Sequence, residues 1–350
     1  MLKKPSYVPI IKTMDAELRA LEKLDDFSKD GLVPLFELTK SRKTSKSPIG
    51  TIERRFSRLQ EVFEGRPFIL DLTSYEDQMN AEIVNLLDDE DGFNNWCTFI
   101  EGKTDGNLIP VVHVYDDSEE AEVASQVERL EDACGTVAFR MNPKDVRQLA
   151  FVEMILNSLK NKDNLVVILD SGFVGQGEGL MNALIVAAAL RRIEAIYDIP
   201  FCVVASSSFP SSVMAKGYHE DKTSGEFALE ELLLYQALGD SFDMEKIVYG
   251  DHASIHPVRN PVRGGTWIPR VDMPLDDTVI FRRFPREDGG YVRAAAAITM
   301  AEEYDPIDCW GDEQISVAAG GAPNGRSPSF WISVRMNIHL TRRVQFISEV

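Results

Sequence analysis

Eight short apolar runs, each followed by a polar break and a helical pattern, constrain this chain more than any other feature. The runs are Tyr7–Lys12, Leu32–Thr39, Pro67–Thr73, Leu108–Tyr115, Thr136–Asn142, Leu165–Ser171, Phe201–Ser207 and Lys246–His252. Each is rich in Val and Ile and bounded by turn residues, as strands buried on both faces of a parallel sheet are. Amphipathic stretches lie between them, among them Asp15–Phe27, Ile52–Phe63, Glu119–Glu131, Asp145–Leu159, Leu180–Tyr197 and Phe227–Leu238. Eight such units in about 250 residues have the length and rhythm of a (β/α)8 barrel. A doubly wound open sheet is the competitor, but eight is the number at which a parallel sheet closes. The expected fold is α/β, a TIM-like barrel over residues 1–258.

Beyond Val258 the texture changes. Residues 261–350 hold ten Arg, no Lys and twelve acidic residues. Gly264-Gly265, Pro269, Pro274 and Pro285 punctuate short β-like pieces such as Thr278–Phe284. A helix is expected near Arg293–Glu303, a loop at Gly320–Ser329 and a strand-like end at Phe330–Ile347. Residues 259–350 therefore read as an appended α+β cap that packs on the barrel.

The 350 residues include 37 Lys+Arg against 56 Asp+Glu, a net charge of −19. That balance argues against a duplex-DNA binder, which needs clustered cations, but leaves room for a small anion in a locally basic pocket. Cys97, Cys134, Cys202 and Cys309 form no CxxC pair, so no zinc ribbon or redox motif is present. Reduced thiols fit a cytoplasmic protein. The apolar stretch Leu180 to Leu190 is too short to span a bilayer, so no membrane association is expected.

Aligning the runs at their carboxyl ends produces one unusual column: Lys12, Glu37, Asp71, His113, Arg140, Asp170, Ser206 and Asp251. Seven of the eight are ionisable in a chain whose charged residues make up 27%. Alternation places Val33 and Leu35 below Glu37, Ile69 below Asp71, Ile109 and Val111 below His113, and Val166 and Ile168 below Asp170, the aliphatic filler of barrel layers. Charges turned toward an apolar helix layer would be costly, so the column should face inward, at the barrel end where enzymes of this fold carry their sites. His113, Glu37, Asp71, Asp170 and Asp251 are the candidate acid–base groups, and Lys12, Arg140 and Ser206 the candidate substrate contacts. The alternative is a structural net in which Lys12 pairs with Glu37 and Arg140 with Asp170.

Two loops suggest an anion. Gly172–Gly179 is a glycine-rich turn before a helix, able to offer backbone N–H groups, although Glu178 would repel an anion and a plain lid is the blander reading. Ser206–Ser212 supplies hydroxyls, and helix capping explains Ser211 or Ser212 equally well. No HExxH or HxH occurs. Asp251 and His252 are adjacent on a strand and face opposite ways, which speaks against shared ligation of a metal. A divalent cation such as Mg held by Glu37, Asp71 and Asp170 remains an open option, and no metal ligand set can be assigned.

Several motifs together resemble the phage and bacterial "beta protein" family. They are Tyr7-Val8-Pro9-Ile10-Ile11-Lys12, Glu17-Leu18-x-x-Leu21, Tyr249-Gly250-Asp251-His252, Trp310-Gly311-Asp312-x-x-Ile315, and Trp331 with Asn337 and His339. The likeness spans nearly the whole chain. It implies a barrel-like core with a characteristic tail, in a phage, mobile-element or defence setting, and no particular reaction. An aromatic residue is expected where His252 stands, which further weakens a metal role there. Trp331, Asn337 and His339 could fold over the barrel mouth and complete a substrate pocket, or could form a Trp-anchored brace. Two functions follow: a barrel hydrolase or lyase for a small phosphate- or nucleotide-like anion, or a non-catalytic component that senses a ligand or docks a protein partner.

Overall fold

Strands buried on both faces require a filled interior and an outer helix layer, and the chain supplies both. The computed structural model describes residues 2–42, 50–103, 107–258 and 267–349. Its strands are β1 (Tyr7–Lys12), β2 (Leu35–Leu38), β3 (Phe68–Leu72), β4 (Leu108–Pro110), β5 (Val137–Met141), β6 (Leu165–Phe173), β7 (Cys202–Ser207), β8 (Ser224–Ala228), β9 (Ile247–Asp251), β10 (Arg270–Pro274) and β11 (Thr278–Arg283).

Eight of them form a parallel sheet in the order β4-β3-β2-β1-β9-β7-β6-β5. First and last barrel strands pair, with Val8 opposite Gly250. The remaining seam is drawn together by a parallel bridge between Val111 and Ala138, where the Val112 N–H donates to the Ala138 carbonyl at 2.8 Å. The sheet is a TIM-like barrel rather than an open sheet. Its interior is packed with Val8, Ile10, Leu35, Ile69, Val166, Ile168, Val203 and their neighbours, while a larger apolar cluster fills the space between strands and helices.

The second sheet is antiparallel, in the order β10-β11-β8. β8 comes from the connection after β7, so the expected helix Phe227–Leu238 starts only at Glu230. Phe227 is instead paired with Val279 of β11. Helices Gly290–Thr299, Trp310–Ala319 and Pro328–Glu349 complete the C-terminal layer. The last replaces the strand-like end expected at Phe330–Ile347. Its Trp331, Val334 and Ile338 enter the C-terminal core, while Met336, Leu340 and Val344 enter the barrel's outer core. A helix buried on two sides is apolar nearly all round, and that hides its 3.6-residue period. The expected boundary at residue 259, with Gly264-Gly265, lies outside the described residues.

Gly250 faces the interior, where an added Cβ would lie 2.9 Å from the Val8 carbonyl oxygen, 3.0 Å from the Ala205 Cβ and 3.1 Å from Val203. Overpacking of this kind costs about 1–3 kcal/mol. Gly250→Val should therefore lower the unfolding free energy measured by urea titration by that amount; an unchanged value would mean that the barrel is wider here.

Candidate functional site at the carboxyl ends of the strands

Continuing inward alternation past the aliphatic layer brings Lys12, Glu37, Asp71, Arg140 and Asp170 to one end of the barrel. Arg140 is the hub. Its Nη1 donates to Glu37 Oε1 at 2.8 Å and to Asp71 Oδ2 at 3.0 Å. Its Nε and Nη2 both donate to Asp170 Oδ2, at 3.0 and 2.6 Å. Lys12 Nζ lies 3.0 Å from Glu37 Oε2, donates to the Pro257 carbonyl at 3.2 Å, and sits 5.0 Å from the Tyr75 ring centroid. Tyr75 donates its hydroxyl to the same carbonyl at 2.7 Å. Asp170 Oδ1 meets His252 Nε2 at 2.9 Å and accepts the Gly172 N–H.

The electrostatics follow from these contacts. Burial pushes the Glu37 carboxyl up, but Lys12 and Arg140 outweigh it and bring the pKa to about 2. Asp170 is held well below the carboxylate range, burial being overcome by His252 and Arg140. Burial alone would make Arg140 easier to deprotonate, yet Asp170, Glu37 and Asp71 hold it firmly charged. The guanidinium occupies the junction of the three carboxylates where a cation would otherwise sit. Among the described residues no group of three or more His, Cys, Asp or Glu side chains is arranged to hold a metal ion.

His113 reaches the same end. Its Nε2 is 4.0 Å from Asp71 Oδ1 and has no hydrogen-bond partner. The ring lies against Phe93 and Trp96, and the Gln126 amide clamps its backbone N–H and carbonyl. Burial lowers its pKa, with Asp71 pulling the other way, so the surroundings favour the neutral ring.

Asp251 and Ser206 do not join the ring. Val248 and Gly250 point inward on β9, as Val203 and Ala205 do on β7, so the next inward residues are His252 and Ser207. The carboxyl-end alignment was one residue out of register on these two strands. Asp251 instead faces the helix layer, fully buried. There its Oδ1 accepts from the Tyr7 hydroxyl at 2.6 Å and the Ala253 N–H at 2.7 Å, and its Oδ2 from the Tyr249 hydroxyl at 3.1 Å. His339 Nε2 also meets Oδ2, at 2.7 Å. Burial is overcome by His339 and these donors, and the Asp251 pKa falls to about 2. The Ala253 contact also steadies the left-handed Ala253 and Ser254, with φ of 48° and 60°.

Asn337 and His339 are buried braces, while Trp331 lines a chamber that adjoins the mouth. Asn337 accepts the Gly311 N–H at 2.8 Å and donates to the Ala20 carbonyl at 3.1 Å. Gly311 is required there, since a Cβ would lie 2.5 Å from the Val334 carbonyl oxygen. Trp331 stacks on Tyr291 with ring centroids 5.0 Å apart and donates to the Gly325 carbonyl. The glycine-rich turn is also committed: Glu230 accepts the Gly177 and Gly179 N–H groups at 2.6 and 2.8 Å. The protein's own carboxylate fills the anion cradle. After β7 the chain runs into turns and then β8, so Ser212 caps a turn at Met214 rather than a helix.

A cavity of about 430 Å³ opens beside the ring, lined among others by Lys12, Phe209, His256, Ile332, Arg270 and Arg335. Arg335 donates to Asp272 Oδ2 at 2.8 Å and to Ser254 at 3.3 Å, with its guanidinium 3.8 Å above the Phe209 ring. Reading the strand ends missed Arg270, Arg335, Tyr75 and His252. The one available signal was the exclusive use of Arg after residue 260.

A closed eight-stranded parallel barrel, floored by ion pairs at its carboxyl end and flanked by a C-terminal α+β layer, defines the class of protein. The chain belongs to the Beta protein family, whose pattern matches residues 7–345. It is 33% identical over 347 residues to Protein beta of Enterobacteria phage P4, covering 97% of this chain and 93% of that one. Among the described residues no helix is long and apolar enough to cross a membrane.

Removing the hub strands three carboxylates, and breaking a buried ion net costs about 3–5 kcal/mol. Arg140→Ala should lower unfolding stability by that order, and Arg140→Lys by less, because the charge survives without the fork. A urea curve for Arg140→Ala matching the parent would show that the net holds nothing together.

Glu37, Asp170 and Asp251 have lower pKa values folded than unfolded, so the unfolded chain binds more protons in acid. Their stabilisation is complete above an ordinary carboxylate pKa of about 4 and is lost as pH falls toward about 2. The thermal midpoint, followed by circular dichroism, should drop steeply across that window and less steeply in Glu37→Gln. Equal slopes for parent and variant would contradict the assignment to Glu37.

Proposed function

We propose that the chain recognises a small anionic ligand in the cleft at the barrel mouth, with the ion-pair ring serving as its rigid floor. The observation that carries this reading is the cleft itself: Lys12, His256, Arg270 and Arg335 gather there in a chain of net charge −19. Arg140 is saturated by carboxylates, so the anion contacts first sought in Lys12 and Arg140 pass to Arg270 and Arg335. Acidic groups at the cleft have their own counterparts: Asp15 pairs with Arg55, and Glu17 acts on Arg335. Cys97, Cys202 and Cys309 are free thiols, which supports a cytoplasmic setting. Kinship to a phage protein supports a role in phage, mobile-element or defence biology. An acidic exterior favours a small ligand or a protein partner over duplex DNA.

A second reading, hydrolase or lyase action on a phosphate-like ligand, is favoured by His113. A neutral imidazole with a free, buried Nε2 beside Asp71 has the form of a general base. Binding comes first in the test. Inorganic phosphate or pyrophosphate should raise the melting temperature of the full chain, as any ligand of the folded state does. Arg270→Gln should abolish the shift while Arg54→Gln, an exposed control, preserves it. No shift with either anion overturns the anion reading. Turnover of phosphate esters that disappears in His113→Gln, with binding retained, would favour catalysis; binding without turnover leaves recognition alone.

A further inference from the structure

The mouth cleft continues into a second chamber of about 270 Å³, and Ser211, Arg270, Ile332 and Arg335 line both. The second chamber differs in chemistry. Trp267, Tyr291 and Trp331 contribute aromatic surface, and Arg283 adds a cation. The Arg286 guanidinium lies 4.5 Å from the Trp267 ring centroid, yet the ring remains 45% exposed and keeps aromatic surface open to a ligand.

The charge here is poorly balanced. Arg270 and Arg283 are directly opposed on adjacent antiparallel strands, an arrangement that destabilises a sheet unless an anion intervenes. The lining carboxylate, Asp272, is shared by Arg270 at 2.8 Å and Arg335 at 2.8 Å. Among the described residues that line this chamber, three guanidinium groups face that one carboxylate, with Glu17 acting on Arg335 from the mouth cleft. Burial and Arg270 both lower the basicity of Arg283, as expected of a cation short of counter-charge.

Resting on the anion reading above, we infer that the ligand is a mononucleotide, its phosphate at Arg270 and Arg283 and its base against Trp267. Guanidinium forks suit phosphate oxygens, and an indole face suits any nucleobase without sequence preference. The chamber of about 430 Å³ is of the size that small-ligand pockets have, and the one of about 270 Å³ adjoins it through shared lining residues.

The test titrates the full chain with AMP, GMP, CMP and UMP, with ribose 5-phosphate, with inorganic phosphate and with adenosine, by calorimetry and tryptophan fluorescence. At least one nucleotide should bind at least tenfold more tightly than ribose 5-phosphate and quench the emission. Trp267→Ala should bring it down to the ribose 5-phosphate level, Trp267→Phe should restore most of the loss, and Arg283→Gln should weaken every phosphate-bearing ligand. Thermal melts establish that each variant is folded. If nucleotides and ribose 5-phosphate bind equally, or Trp267→Ala changes nothing, the nucleotide inference fails and the anion reading stands. If no phosphate-bearing compound binds, both fall.

Discussion

The structure turns on a guanidinium that three carboxylates from three different strands must share. Glu37, Asp71 and Asp170 converge where the barrel is dry below and only slightly solvated above, and like charges so placed repel strongly unless a cation joins them. Arg140 supplies that cation with a planar fork able to reach all three. The ring thereby ties β2, β3, β5 and β6 together at the end of the sheet where aliphatic packing stops. Buried ion pairs seldom add stability over apolar packing. Their gain here is geometric, since the fork ties together strands contributed from distant parts of the chain.

A second buried carboxylate plays the matching role outside the barrel. Asp251 gathers Tyr7 from the first strand, Tyr249 from the last and His339 from the final helix. It therefore joins the barrel's closing seam to the C-terminal layer in one hydrogen-bonded set. Arg335, one turn before His339, reaches across to Asp272 and Ser254 on the other side of the same turn. The tail is thus built into the barrel wall through polar contacts on one side and through Met336, Leu340 and Val344 on the other.

Much of this was legible in the sequence because it follows from periodicity. Eight runs of strand length with aliphatics at every second position fix the barrel, and the same alternation puts Glu37, Asp71 and Asp170 inside. Where the reading slipped, a physical ambiguity was responsible. On β7 and β9 the interior positions nearest the carboxyl end are small, Ala205 and Gly250, so beyond Val203 and Val248 no large aliphatic marks the inward face, and carboxyl-end alignment selects Ser206 and Asp251 in place of Ser207 and His252. The final helix was read as a strand because two cores claim its two faces. The fate of the glycine-rich turn was beyond sequence, since the Glu230 carboxylate that fills it lies 51 residues from Gly179.

The division of labour between ring and cleft follows from competition for charge. An anion entering at Lys12 must displace Glu37 at 3.0 Å, and one entering at Arg140 must displace Glu37, Asp71 and Asp170, the first and last of which are held below their ordinary protonation range. Neither exchange gains, because each leaves a carboxylate buried without a partner. Arg270 and Arg283 present the opposite case, two cations in register with a single carboxylate shared between Arg270 and Arg335. An anion there relieves repulsion that the folded chain already bears, so the favourable site for negative charge lies beside the ring rather than within it. The most conspicuous cluster of ionisable groups is then the part that holds still, and Lys12, which lines the cleft while paired with Glu37 of the ring, joins the two.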